Sequence, residues 1–268
     1  MATRTTIMQR NNVRVLGDGP ETIIFAHGFG SDQNAWQHQV AEFASKYHIV
    51  LFDHVGGGQS DLSAYSPRRY SSLYSYAEDL LDLCAELKLT QCILVGHSLS
   101  GMVSLLAALL EPERFSQLII IGASPRYLND EGYIGGFEQH ELDALYEAMS
   151  SNYHAWALGF APLFMQNPDK PELAVNFSQT LAAVRPDIAL SVARMVYQSD
   201  HRTDLPKVKV PVAILQSNDD IVVPQEVGHY MEKNIPQSKL LQLPTSGHLP
   251  HLSSPNVVNR AIAQCLVA

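Results

Sequence analysis

Short apolar runs alternate with helical stripes along the first 125 residues. Thr22 to Ala26 (TIIFA), His48 to Phe52 (HIVLF), Cys92 to Val95 (CILV) and Leu118 to Ile121 (LIII) are each bounded by turn-forming or polar residues. That pattern predicts short buried strands. Between them Leu73, Tyr76, Ala77, Leu80, Leu83, Cys84 and Leu87 recur at helical spacing over 73–88. Residues 99–110 are apolar almost all round, as a buried helix is. Strands without a polar face, alternating with helices, predict an α/β fold with a mostly parallel sheet and helices on both faces. Its crossovers should be right-handed. Residues 5–16, with Asn11 and Asn12 between two short runs, predict an antiparallel hairpin at the sheet edge.

The rhythm changes from 126 to 198. Strand-like runs disappear, and prolines 162, 168, 171 and 186 punctuate apolar stripes. Phe137, Leu142, Leu145, Tyr146 and Met149 make one stripe. Residues 153–165 make a second, strongly apolar helix. Leu173, Phe177, Leu181 and Val184 form a third, and Ile188, Val192, Met195 and Val196 a fourth. Strands return at Val210 to Gln216 and Lys239 to Leu243, followed by helices at Pro224 to Lys233 and Asn256 to Leu266. The chain therefore divides into a core, 1–125 and 199–268, and a helical cap, 126–198. Counting the hairpin as two strands, the cap follows the sixth. A cap over a parallel sheet places a pocket above the strands' C-terminal ends.

The length, 268 residues, suits one large α/β domain. A net charge of −9 argues against nucleic acid and against anionic lipid surfaces, both of which need clustered Lys and Arg. No apolar run is long enough to span a bilayer, and the N-terminus lacks the apolar core of a signal peptide. Cys84, Cys92 and Cys265 are scattered, with no C-x-x-C, which favours free thiols in a reducing compartment and so a cytoplasmic protein.

Chemistry gathers at the predicted strand ends. Val95 to Gly101 reads VGHSLSG, one place out of step with the nucleophile elbow G-x-S-x-G. It follows a strand and opens a helix, the context an elbow needs. Gly96 is small enough for strand and helix to pass closely, Ser100 is the next smallest practical choice, and Gly101 adds relief. A serine hydroxyl needs a base in reach. Asp219 and Asp220 follow one later strand, and Gly247-His248 another, giving the order Ser, acid, His. The spacing D-x-x-x-P to Pro224 favours Asp220 over Asp219. His248, directly after the Gly247 turn, is favoured over His251, which lies nearer the next helix and fits packing or capping. Oxyanion donors are expected at the N–H of Leu99, after the nucleophile, and of Phe29, in the loop His27-Gly28-Phe29-Gly30.

Each feature alone has a bland reading. G-x-S is common, eleven histidines make a chance His near the end easy, and His-Gly is often only a turn. What carries the reading is four features on four strand ends in the right order. The run Gly56-Gly57-Gly58 lacks both the G-K-[ST] ending and the G-x-G-x-x-G helix start of phosphate loops. No metal-ligand spacing such as H-E-x-x-H is present, and no cofactor is required.

With those motifs in hand, HGFG, DHVGGGQSD, GHS, D-x-x-x-P and GH, the chain resembles the α/β-hydrolase superfamily over nearly its whole length. Within it the chain is similar to a narrower group: the bacterial stress-response regulator RsbQ and the plant karrikin and strigolactone receptors. HGFGSDQNAW (27–36), SPRYLND (124–130), GGFEQ (135–139), NYHAWALGFAPL (152–163), RPDIALSV (185–192), QSDHR (198–202) and GHLPHLSSP (247–255) carry that likeness. The plant receptors also have serine where Ser100 stands, whereas RsbQ has glycine.

The resemblance implies a triad of Ser98, Asp220 and His248 beneath a four-helix cap in a V over a closed apolar cavity. It implies pocket positions at Phe29, Phe137, Leu145, Trp156, Phe160, Phe177, Tyr197, Ile221 and Val222, with Tyr127 near the mouth. Plant receptors often carry Phe where Tyr197 stands, which implies a more polar rim here. The implied activity is slow hydrolysis of small hydrophobic esters or butenolide-like lactones, coupled to contact with a signalling protein partner: a phosphatase in bacteria, an F-box protein in plants. A receptor read out by a partner, a metabolic carboxylesterase and a carbon–carbon bond hydrolase all share the triad. Epoxide hydrolase and dehalogenase chemistry is disfavoured, because those sites need a carboxylate where Ser98 stands.

Overall fold

A computed structural model of the chain describes residues 6–266. The N-terminal stretch 1–5, including the first residue of the expected hairpin, lies outside the described residues. Helix α1 (Ile7–Arg10) and strand β1 (Arg14–Leu16) come first. The order continues β2 (Thr22–Ala26), α2 (Gln37–Phe43), β3 (His48–Leu51), α3 (Leu73–Glu86), β4 (Cys92–His97), α4 (Leu99–Leu110) and β5 (Phe115–Ile121). Four helices follow, α5 (Gln139–Ser151), α6 (Tyr153–Met165), α7 (Pro171–Ala183) and α8 (Pro186–Tyr197). Then come β6 (Val212–Asp219), α9 (Gln225–Asn234), β7 (Ser238–Ser246), α10 (Pro250–Ser253) and α11 (Pro255–Leu266).

Among the described residues the sheet has seven strands in the order β1-β3-β2-β4-β5-β6-β7. All neighbours run parallel except β1, which pairs antiparallel with β3. Successive strand residues bury on opposite faces. Ile24, Val50, Leu94, Leu118, Ile120 and Ile214 pack in the cluster that includes α3 and α4 residues. Ile23, Phe25, Ile49, Val95, Ile119 and Leu215 pack with Trp36, Phe43, Val258 and Ile262 on the other side. Each such side chain contributes about 1.5–3 kcal/mol relative to exposure. No helix among the described residues is long and apolar enough to cross a membrane.

The expected hairpin at 5–16 is not formed. Thr6 and Gln9 make a capping box that starts α1 instead, leaving β1 as a single edge strand. The four-helix insertion consequently follows the fifth strand rather than the sixth. Phe137 also leaves its expected stripe. It precedes α5, and its N–H donates to the Tyr127 carbonyl at 3.1 Å. Pro171 and Pro186 open α7 and α8, where the missing N–H costs no helical bond. Pro162 lies inside α6.

Candidate active site

Ser98 sits between β4 and α4 with φ 54° and ψ −118°, an unusual backbone for a residue with a side chain. Its N–H donates to the Ile121 carbonyl at 2.8 Å, and its hydroxyl makes no cap bond. The elbow explains its small residues. A Cβ at Gly96 would lie 2.4 Å from the Ser100 carbonyl oxygen, and one at Gly101 would lie 2.4 Å from the Ala123 Cβ. Position 100 tolerates a side chain while 101 does not, so the late glycine answers a real close approach.

Three side chains meet over this turn. His248 Nε2 lies 2.8 Å from Ser98 Oγ, and His248 Nδ1 lies 2.8 Å from Asp220 Oδ2. Asp220 Oδ1 accepts the N–H groups of Val222 at 2.8 Å and Val223 at 3.2 Å. A carboxylate can only accept, so Nδ1 carries the imidazole proton and bare Nε2 faces the Ser98 hydroxyl. The neighbouring Asp219 is exposed, and only its carbonyl is engaged there, accepting Gly247 N–H at 2.7 Å. His251 is buried and stacks on Trp36 at 4.6 Å, away from Ser98. Burial first, then His248 and His38, pull its pKa down to about 3.

The histidine loop is held from two sides. His97 Nε2 donates to the His248 carbonyl at 2.7 Å, and His248 N–H donates to the Phe164 carbonyl at 2.8 Å. Gly247 has φ 92°, and a Cβ there would stand 2.1 Å from the Met165 carbonyl oxygen, so only glycine lets the loop run this close to α6. Just beyond α6, Gln166 Oε1 accepts Ile221 N–H at 3.0 Å and Asn167 Nδ2 donates to the Ser246 carbonyl at 3.1 Å. The end of α6 is thus bonded to both the acid loop and the histidine loop.

Leu99 is the first residue of α4, so its N–H has no intrahelical acceptor. Phe29 lies in the tight turn closed by Ser31 N–H on the Gly28 carbonyl at 3.3 Å. A Cβ on Gly28 would lie 2.6 Å from His97 Nδ1 and 3.2 Å from the Ser98 Cβ, so the loop passes directly over the elbow.

A cavity of about 10 Å³ adjoins Ser98 and His248, room for about one water. Phe29, Tyr127, Phe177 and Tyr197, all expected, line it. Tyr127, expected near the mouth, is 2% exposed in the wall, its ring edge-on to Tyr197 at 4.9 Å. Burial pushes its pKa well up, and the nearby Ser98 acts in the opposite direction. A second hollow of about 30 Å³ shares Phe29 and is lined by Leu99, His54, Ile188 and Val192.

Other expected pocket residues stand further back. Phe137 touches Tyr197 with ring centroids 5.6 Å apart, and Leu145 is partly buried against the main core. Trp156 stacks on Phe160 at 4.7 Å, and Phe160 reaches the cavity only through Phe164, at 4.1 Å. Val222 is buried beside Asp220, whereas Ile221 is 47% exposed. Four lining residues were not expected from the sequence: His97, Phe164, Val196 and Leu249. Phe164 stands edge-on to His248 at 5.3 Å. Its spacing of one helical turn after Phe160 was the available signal.

The comparisons agree with this architecture. The alpha/beta hydrolase fold family model matches residues 21–255. A karrikin insensitive 2 receptor of Petunia hybrida is 46% identical over 254 residues, 94% of this chain and 94% of its own length. A strigolactone esterase of Pisum sativum is 47% identical, over 94% of this chain and 95% of its own. Among solved structures, a hydrolase of Oleispira antarctica superposes with TM-score 0.94 at 35% identity, covering 96% of this chain and 95% of that one.

Proposed function

We propose, for a chain that belongs to the α/β-hydrolase family, that it is a serine hydrolase of small hydrophobic esters or butenolide-like lactones. The observation that carries this reading is the bond series Ser98 Oγ to His248 Nε2 to Asp220, with both links at 2.8 Å. Ser98 attacks the carbonyl carbon while His248 Nε2 takes its proton. Asp220 holds the proton on Nδ1 and stabilises the imidazolium. The N–H groups of Phe29 and Leu99 hold the oxyanion. His248 returns the proton to the leaving oxygen, and water, activated by the same imidazole, frees the acyl group. The cavity at Ser98 has room for about one water, so the roof must move to admit even a small acyl group.

A second function is supported by the bonds between α6 and both catalytic loops. An occupant that displaces α6 must disturb the Asp220 and His248 loops together. That suits a receptor in which slow turnover is coupled to contact with a protein partner, and relatives named as receptors and as esterases fit it. The helices between β5 and β6, within 126–198, act as the cap. The three free, buried cysteines fit action in the cytoplasm.

The test is hydrolysis of p-nitrophenyl acetate and of a butenolide by the wild type and by Ser98→Ala. Turnover that falls at least about 10³-fold in the variant, with the fold retained, supports the reading. Equal rates in the two proteins would remove it.

A further inference from the structure

The late glycine of the elbow leaves Ser100 fully buried in the first turn of α4. Its Oγ lies 2.5 Å from the His27 carbonyl oxygen and 2.6 Å from His54 Nε2. A carbonyl only accepts, so the single hydroxyl proton goes to His27. His54 Nε2 must then carry a proton and donate to Ser100 Oγ. That leaves His54 Nδ1 bare, and among the described residues it has no hydrogen-bond partner. His27 Nε2 in turn accepts the N–H of His54 at 3.0 Å, so its Nδ1 holds the proton and donates to the Gly28 carbonyl at 2.9 Å. With both imidazoles neutral, the network admits one proton arrangement.

This network joins the end of β2, the exit of β3 and the start of α4. The two oxyanion donors sit at its borders: Phe29 two residues after His27, and Leu99 directly before Ser100. We propose that Ser100 is a positioning residue: its hydroxyl pins the His27–Phe29 turn to the first turn of α4 and so sets the gap between the two oxyanion N–H groups. The inference rests on the serine-hydrolase reading above. Donors help only when aimed at the place where the negative oxygen develops, and a shift of about 1 Å can cost about 10²-fold. Glycine at 100, as in the usual elbow, would leave the His27 carbonyl and the His54 N–H without their shared partner in a buried site.

The test compares wild type, Ser100→Ala and His54→Phe for hydrolysis of p-nitrophenyl acetate and for inhibition by a small trifluoromethyl ketone. Ser98 Oγ adds to the ketone carbon, its proton passes to His248, and the carbonyl electron pair becomes an oxyanion. The resulting hemiketal reports on the oxyanion site without turnover. Ser100→Ala should lower kcat by about 10- to 100-fold, leave KM nearly unchanged, and weaken the ketone by the same factor as kcat. A merely structural role would lower thermal stability and the active fraction without changing ketone affinity in the folded fraction. His54→Phe, which keeps a buried ring but removes the donor to Ser100, should give a smaller loss of the same kind and serves if Ser100→Ala does not fold. An active wild type with kcat and ketone affinity unchanged in the folded variants would overturn this inference alone. A wild type that neither turns over the ester nor binds the ketone would overturn the hydrolase reading and this inference with it.

Discussion

Replacing Asp220 with Asn changes almost no volume yet should nearly abolish turnover. In the native loop Oδ1 takes two backbone N–H bonds, from Val222 and Val223, while Oδ2 takes Nδ1–H of His248. An amide offers one oxygen and one NH2. Both backbone groups donate, so the oxygen of the substituted side chain must stay on their side. The NH2 then faces His248 and can only donate. Nδ1 must accept, and the ring proton moves to Nε2, which points at Ser98 Oγ from 2.8 Å and can no longer take its proton. The same tautomer reversal in a serine protease costs about 10⁴ in kcat, or about 5.5 kcal/mol of transition-state stabilisation. Steady-state hydrolysis of p-nitrophenyl acetate measures it. The control is Asp219→Asn, whose exposed side chain is remote from this bond series and whose carbonyl bond to Gly247 survives the change. It should stay within about twofold of wild type. If Asp220→Asn kept more than about a tenth of kcat, or if Asp219→Asn were the more damaging, the reasoning about the acid would be wrong.

Phe164→Ala removes the ring that closes the cavity over His248, so it should cost about 3–5 kcal/mol of stability in urea unfolding. It should also raise kcat/KM for a butanoate ester relative to acetate by about tenfold, and an unchanged ratio would deny Phe164 its part in the roof. Stability should also fall steeply in mild acid. His54, His97 and His251 are fully buried, and burial first, then neighbouring histidines, lowers all three pKa values, that of His251 to about 3. Below about pH 6.5 the unfolded chain binds protons that the folded chain refuses, so the contribution is present above that pH and lost as pH falls towards the folded values. His251, with its folded value at about 3, loses about 1.4 kcal/mol by pH 5.5, and His54 and His97 add to the loss in the same direction. Urea unfolding at pH 7.5 and 5.5 checks the slope, and equal stabilities would refute the neutral buried imidazoles.

The fold and the meeting of Ser98, Asp220 and His248 were legible because both rest on patterns the chain carries locally. TIIFA and LIII have no polar face, and the Ser98, Asp220 and His248 signals each follow a strand, so the sheet itself brings them together. The edge was misread because Thr6 and Gln9 satisfy each other in a capping box, a signal that competes with the short apolar runs around Asn11 and Asn12. The pocket was legible only in part. Phe164, Val196 and Leu249 line it through the packing of α6 and α8 against the histidine loop, which no single stretch records. Ile221 and Val222 are adjacent in a turn, where neither helical nor strand periodicity says which side chain goes in; one is 47% exposed and the other buried.

The central claim is that Ser98 becomes covalently acylated. Intact-protein mass spectrometry after brief exposure to a small ester or lactone, followed by peptide mapping, reads this directly. The account predicts an added acyl mass on the peptide containing Ser98, lost in Ser98→Ala and accumulating more slowly in Asp220→Asn. An adduct on another residue, persisting unchanged in Ser98→Ala while product still forms, would contradict it.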